Sequence, residues 1–302
     1  MLKVMSLKRA IVFLLIVSFP AFFSEEGAYA GTENDPGKKV VYFSAITLYH
    51  PIVMYQRYQP LMNYLTEHTP YRFELKLSQD YRDIIKFLKN GTVQVALLGG
   101  VTYLEAKRQF DVVPILKPLG RDGKPFYRSV FITREGNKEI NNLSDLKGKT
   151  IAFASKLSTS GNLAPLYHLY AKAGIGSSDR ARYVNFKYHD AVAREVLRGN
   201  FDAGAVIDSV ANRFKGRGLK IVDVTEPIPG LPIVVRGDAS PEFSAAIKKA
   251  LLSLDYNNQE HRRLMEKWDE EFKYGFAEAT DTDYNHIRQM IDYLRRKGIR
   301  IP

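Results

Sequence analysis

Two α/β lobes, each a mostly parallel sheet flanked by helices, are what this 302-residue chain predicts. Three observations carry that expectation. Short apolar runs rich in β-branched and aromatic residues alternate with segments whose apolar residues recur at helical spacing. The alternation is run through twice without any repetition of sequence. Three further helical segments then close the chain, and 45% hydrophobic content is enough to fill two cores.

The elements follow in order. "KKVVYFSAI" (Lys38–Ile46) reads as a strand, and "HPIVMYQRYQPLMNYLTEH" as a helix carrying Pro60 as a kink. "YRFELKLS" alternates as a strand does. "DYRDIIKFLKNG" is a helix with Asp80 as its N-cap and Gly91 as its stop. "VQVALLGG", "VTYLEAKRQF" and "VVPILKPL" continue as strand, helix, strand. The second pass begins at "NLSDLKGKTIAFAS", a short helix and a strand. It continues through the helix "NLAPLYHLYAKAGI", the strand "ARYVNFK", the helix "HDAVAREVLRGN" closed by Gly199, and the strand "FDAGAVI". "LKIVDVT" and "LPIVVR" are further strands. "SPEFSAAIKKALLSLD", "NQEHRRLMEKWDEEF" and "DTDYNHIRQMIDYLRRKG" are the closing helices. Extended crossovers near Phe131 and Val234 divide the chain into a first lobe of 38–132 plus 235–302 and a second of 133–234. Such crossovers are natural hinges.

The first thirty residues are of another kind. Lys3, Lys8 and Arg9 precede the apolar run "IVFLLIVSFPAFF", and "AYA" at 28–30 places small residues before a cleavage point. This is the pattern of a secretory signal peptide. A membrane anchor needs ~20 apolar residues, whereas Pro20, Glu25 and Glu26 end this run early. The chain contains no cysteine, which excludes a disulfide framework, thiolate chemistry and a lipid-bearing cysteine. A soluble protein of the bacterial periplasm is expected. The net charge of +11 favours anionic partners, but its basic residues are dispersed and not interleaved with aromatics, so nucleic acid is not expected.

The candidate chemistry lies beyond the carboxyl ends of strands, where ligands of α/β sheets bind. "SKLSTSGNLAP" places Ser158, Thr159, Ser160 and Gly161 between a strand and a helix. A helix N-terminus attracts anions, hydroxyls add donors, and glycine admits a close approach. The same hydroxyls serve equally as a plain helix cap, and Pro165 makes the first turn irregular. His189 opens a helix after a strand, a place for a donor or for an ordinary surface histidine. Tyr81 and Tyr127 stand at element edges, where core packing is the usual role of a tyrosine. Enzyme signatures are poor. "SDLK" (Ser144–Lys147) has no companion motifs, GxSxG and HExxH are missing, and the six histidines lack metal-ligand spacing. No catalytic residue, metal or cofactor is expected.

Taken in order, "QPLMNYL", "QDYRDII", "VQVALLGGVTYLEA", "GKPFYRSVFI", "NLSDLKGKTIAF", "LSTSGNLAP", "YHDAVAREVLRGNFDAGAV" and "IPGLPIVVR" resemble the phosphate/phosphite/phosphonate-binding receptors of bacterial ABC importers. The resemblance runs from about Lys38 to the last helix. It implies the type II periplasmic binding protein fold, a monomer that closes on its ligand and delivers it to a membrane permease. It also implies an oxyanion headgroup held by Ser158, Thr159 and Ser160, with His189, Tyr81 and Tyr127 closing over it. One departure stands out. Receptors that take aminoalkyl phosphonates carry carboxylates where this chain has Ser209 and Leu231, with Asp208 beside the first as a substitute candidate. A tailless oxyanion is therefore expected to bind better than an amine-tailed one. A ligand-sensing partner of a membrane sensor, a receptor for another organic anion such as a sulfonate, and an enzyme acting on a phosphoryl or acyl group are the rival readings.

Overall fold

A computed structural model describes residues 37–176 and 182–302. The expected signal peptide lies outside the described residues, as does the start of the strand expected from Ala181. The first part contains β1 (Lys39–Ala45), α1 (Pro51–His68), β2 (Tyr71–Leu75), α2 (Tyr81–Lys89), β3 (Val95–Leu97), α3 (Gly100–Gln109) and β4 (Val112–Pro118). A two-residue strand β5 (Phe126–Tyr127) leads into β6 (Ser129–Arg134), β7 (Thr150–Phe153), α4 (Ala164–Lys172), β8 (Arg182–Asn185) and α5 (His189–Arg198). Next come β9 (Ala203–Ile207), α6 (Asp208–Phe214) and β10 (Leu219–Val224). The return runs through β11 (Ile228–Pro229), β12 (Ile233–Arg236), α7 (Pro241–Leu252), α8 (Gln259–Met265), β13 (Phe276–Glu278) and α9 (Asn285–Arg296).

Two sheets result, in the orders β13-β4-β12-β3-β1-β2 and β10-β6-β9-β7-β8. Most strands of each sheet run one way, as expected of a βα alternation. Each sheet also takes in one strand from a crossover, antiparallel to both neighbours: β12 between β3 and β4, and β6 between β10 and β9. The crossovers themselves pair as a short ribbon, Tyr127 with Ile228 and Phe126 with Pro229. The two crossover strands then join opposite sheets. Ser129–Ile132 pair within the second sheet and Ile233–Val234 within the first.

Local chemistry explains most element ends. Asp80 caps α2 by accepting from the Arg82 and Asp83 N–H groups. Gly199 ends α5 with φ of +83°, a left-handed conformation open to glycine. Pro60 lies inside α1, which continues to His68. The helix expected over "NQEHRRLMEKWDEEF" stops at Met265, and its acidic end re-forms as a 3-10 turn, Glu270–Phe272, capped by Asp269. Both faces of the central strands are buried: Val95 to Leu97 and Ala203 to Ile207 have no residue more than trace-exposed.

Candidate functional site

The hydroxyl row is built on a defect. Pro165 has no N–H, so the carbonyl of Gly161 receives no helical bond; it accepts instead from the Ala154 N–H at 2.8 Å. The turn ahead of α4 widens to a single π turn, Thr159–Leu163, in which the Leu163 N–H reaches back to the Ser158 carbonyl at 3.1 Å. The irregular start expected from Pro165 takes this form. The loop is thereby folded onto the end of β7 with Ser158, Thr159 and Ser160 all buried. Gly161 is required sterically. A β-carbon there would sit 2.4 Å from Cβ of Ala154 and 2.7 Å from Cε1 of His189.

His189 sets the polarity of Ser158. Its Nδ1 accepts the Ile207 N–H at 3.0 Å, so the neutral ring carries its proton on Nε2. That proton points to Ser158 Oγ, 3.0 Å away. Ser158 Oγ also accepts the Gly161 N–H at 2.9 Å. Both lone pairs of the serine oxygen are then taken, and its own hydrogen remains as a donor. Burial pushes the His189 pKa down to about 3, so the ring is neutral at any physiological pH.

The first lobe meets this turn with a second helix start. The Val101 N–H of α3 donates to Thr159 Oγ1 at 3.0 Å, and Thr102 Oγ1 donates to the Leu157 carbonyl at 3.0 Å. Two helix N-termini thus face one another across the cleft. Tyr81, at the first position of α2, is fully buried; its hydroxyl has no hydrogen-bond partner, and Ser158 is close enough to offset slightly the rise that burial causes in its pKa. The Tyr127 hydroxyl lies beside those of Thr159 and Ser160. Burial raises both phenols, which therefore stay protonated and able to donate. Tyr81, Tyr127, Ser158, Thr159, Ser160 and His189 come together in space, although the sequence separates the first two from the rest. The α3 start at Gly99–Thr102 was not singled out, and the glycine pair before a helix was its available signal.

Beside the row opens a cavity of about 390 Å³ whose lining includes Tyr127, Asp208, Ser209, Leu231, Arg213 and Glu271. Asp208 accepts from the Arg128 N–H at 3.1 Å and the Ser209 N–H at 2.9 Å, yet burial still raises its pKa to about 6. Glu271 had no signal beyond an acidic run, "WDEEF", which reads as a solvated helix face.

A two-lobed receptor with a polar cleft is thus the class that fold and site define. The family described as "ABC transporter, phosphonate, periplasmic substrate-binding protein" matches residues 43–284. The chain belongs to this family of periplasmic ligand-binding components of importers. It is 26% identical over 258 residues to a phosphate-import protein of Mycolicibacterium smegmatis, covering 78% of this chain and 79% of that one. It is 24% identical over 296 residues to the phosphonates-binding periplasmic protein of Escherichia coli, covering 94% and 85%. In structure it is similar to a binding component of a Pseudomonas aeruginosa phosphonate transporter, with TM-score 0.75, 23% identity and coverage of 86% and 88%. A Prochlorococcus marinus protein in complex with methylphosphonate gives TM-score 0.72, 22% identity and coverage of 85% and 98%.

Proposed function

We propose that the protein is a soluble periplasmic receptor that captures a phosphorus oxyanion, namely phosphate, phosphite or a small phosphonate, for an ABC importer. The lobes close on the ligand about the β5–β11 ribbon. The observation that supports this most is the Ser158 hydroxyl, left by Gly161 and His189 as a donor with no free lone pair. A phosphoryl oxygen is the acceptor it suits. Thr159, Ser160, Tyr81 and Tyr127 add donors, and the starts of α3 and of the π turn add the field of two helix dipoles. His189 acts through Ser158: its Nε2 proton occupies a lone pair of the serine oxygen and leaves the serine hydrogen for the ligand. The phosphate-import and methylphosphonate relatives support the same ligand class.

A binding module is favoured over an enzyme by the same tautomer. His189 donates to Ser158 and cannot also take its proton, and nucleophilic catalysis needs that base. The first thirty residues act as a cleaved signal peptide that directs the chain to the periplasm. A cleft completed within one chain functions as a monomer.

Calorimetry against phosphate, phosphite, methylphosphonate and methanesulfonate tests the reading. A phosphorus oxyanion should bind saturably, and Ser158→Ala should weaken it by about 1.5–3 kcal/mol, the range for a hydrogen bond to a charged group. Tighter binding of the sulfonate would assign the site to another anion. Closure is tested by small-angle scattering, where saturation with a proven ligand should shrink the radius of gyration; an unchanged radius would refute it.

A further inference from the structure

The loop that carries the hydroxyl row is tied by a pair of amides. Asn185, the last residue of β8, stands opposite Phe153 of β7 in the parallel register. Its Nδ2 donates to the Ala154 carbonyl at 2.7 Å and to Asn162 Oδ1 at 2.8 Å, which uses both of its hydrogens. The Ala154 carbonyl can only accept, so the amino end of Asn185 must face it, and Asn162 then presents its oxygen to Asn185. That leaves the Asn162 amino group for the Lys156 carbonyl, 3.3 Å away. Asn162 is itself buried within the π turn, in the same five-residue segment as Thr159 and Ser160.

These bonds decide where the acceptors of the loop point. A site for an oxyanion turns N–H and O–H groups toward the ligand and carbonyl oxygens away from it, because a carbonyl dipole aimed at an anion opposes binding. From Ala154 to Ser158 every carbonyl is engaged elsewhere. Asn185 holds that of Ala154 and Asn162 that of Lys156. The Ser158 N–H takes that of Ser155 at 2.8 Å, Thr102 Oγ1 that of Leu157 at 3.0 Å, and the Leu163 N–H that of Ser158 at 3.1 Å. Ala154 is the keystone, since its N–H also donates to the Gly161 carbonyl at 2.8 Å. One residue thus anchors both arms of the loop, and Asn185 fixes that residue. No proline stiffens the backbone from Ser155 to Ser160, so its shape depends on these bonds.

We propose that Asn185, acting through Asn162 and the Ala154 carbonyl, is a positioning residue for the headgroup site: the amide pair turns the loop carbonyls away and so keeps the Ser158, Thr159 and Ser160 donors aimed into the cleft. This rests on the hydroxyl row holding the phosphoryl headgroup. Neither asparagine touches the ligand. A pair that only satisfied buried carbonyls would matter to stability alone, whereas a positioning pair sets affinity in the folded protein.

The test is calorimetry with phosphate and methylphosphonate in Tris at pH 7.5, well below the melting temperature of each variant, beside urea denaturation. Asn185→Leu should weaken both anions at least tenfold and by the same factor, since the headgroup and not the tail is affected. Asn162→Leu should weaken both as well, and the double variant should fall short of the product of the two losses, because they act through one contact. Asp202→Ala is the control. Asp202 Oδ2 accepts the Thr150 N–H and hydroxyl, each at 2.7 Å, at the other end of β7. Its loss should lower stability yet leave both affinities within threefold. Affinities within threefold of the native chain in both asparagine variants, or a loss matched by Asp202→Ala, would overturn the assignment and leave the headgroup reading standing. If Asn185→Leu fails to fold, Asn162→Ala decides, because it keeps the Asn185 bond to Ala154: weakening beyond threefold supports the assignment, and unchanged affinity overturns it. A native chain that binds neither anion would overturn the headgroup reading itself.

Discussion

The two ends of the cleft are built by opposite means. At the hydroxyl row, Ile207, His189, Ser158 and Gly161 form a continuous run of hydrogen bonds in which each donor and acceptor is assigned. At the far end, Asp208, Ser209, Arg213 and Glu271 line an open cavity of about 390 Å³. The first is fixed by its own hydrogen bonds, whereas the second presents polar side chains to an open space. Affinity for a headgroup and choice of tail are thereby separable properties of one site.

The largest effect should come from breaking the rigid end. Gly161→Ala forces a methyl group against Ala154 and His189, and overpacking of this kind is destabilising by about 3 kcal/mol. Urea denaturation should show it, together with weaker binding of every phosphorus oxyanion. A fully stable variant would mean that the loop is not held as described. His189→Ala should follow, weakening headgroup binding by about 1.5–3 kcal/mol for all ligands alike, because Ser158 loses the bond that fixes its polarity. A loss confined to amine-tailed ligands would instead place His189 at the wrong end of the site.

Protons distinguish the ends as well. The folded pKa of His189 lies below its unfolded value of about 6.5. Its contribution to stability is therefore full above that pH and is lost as pH falls toward about 3. Asp208 works in the opposite sense: its folded pKa of about 6 lies above the unfolded value of about 3.9, so acidification through that window favours the fold. Asp208→Asn removes only the second effect. Stability measured in urea at pH 6 and pH 4 should then fall more steeply in the variant, by up to ~1.4 kcal/mol per pH unit. Parallel slopes would show that Asp208 does not titrate there.

Arg213→Ala should have the smallest effect. It removes a cation lying over the Tyr49 ring across the lobes, a contact of ~0.5–1 kcal/mol. All ligands should weaken by about twofold to fivefold together, since closure is affected and recognition is not. A change in the ranking of ligands would show that Arg213, which lines the cavity, also takes part in recognition.

The same contrast explains what could be read in the sequence. The hydroxyl row is contiguous, and its strand, loop, proline and helix follow one another, so its position and its irregular first turn are both legible. The caps at Asp80 and Gly199 are local in the same way. Glu271 meets Ser209 across 62 positions of chain, and an acidic run on a helix-like pattern gives no sign of burial. The strands β12 and β6 are legible as strands, but which sheet each joins depends on pairing partners far away in sequence.

One feature of the ribbon has a mechanical meaning. Tyr127 belongs to β5, the strand that crosses between lobes, and its hydroxyl also rests beside Thr159 and Ser160. A point on the axis of a rotating joint hardly travels, while the rim sweeps the widest arc. If the lobes turn about this ribbon, Tyr127 stays with the hydroxyl row throughout the swing, and the start of α3 and Tyr81 are the parts that come and go. An arriving oxyanion would then land on a finished half-socket at the pivot, and its dwell time would depend on how often the far jaw shuts before it leaves.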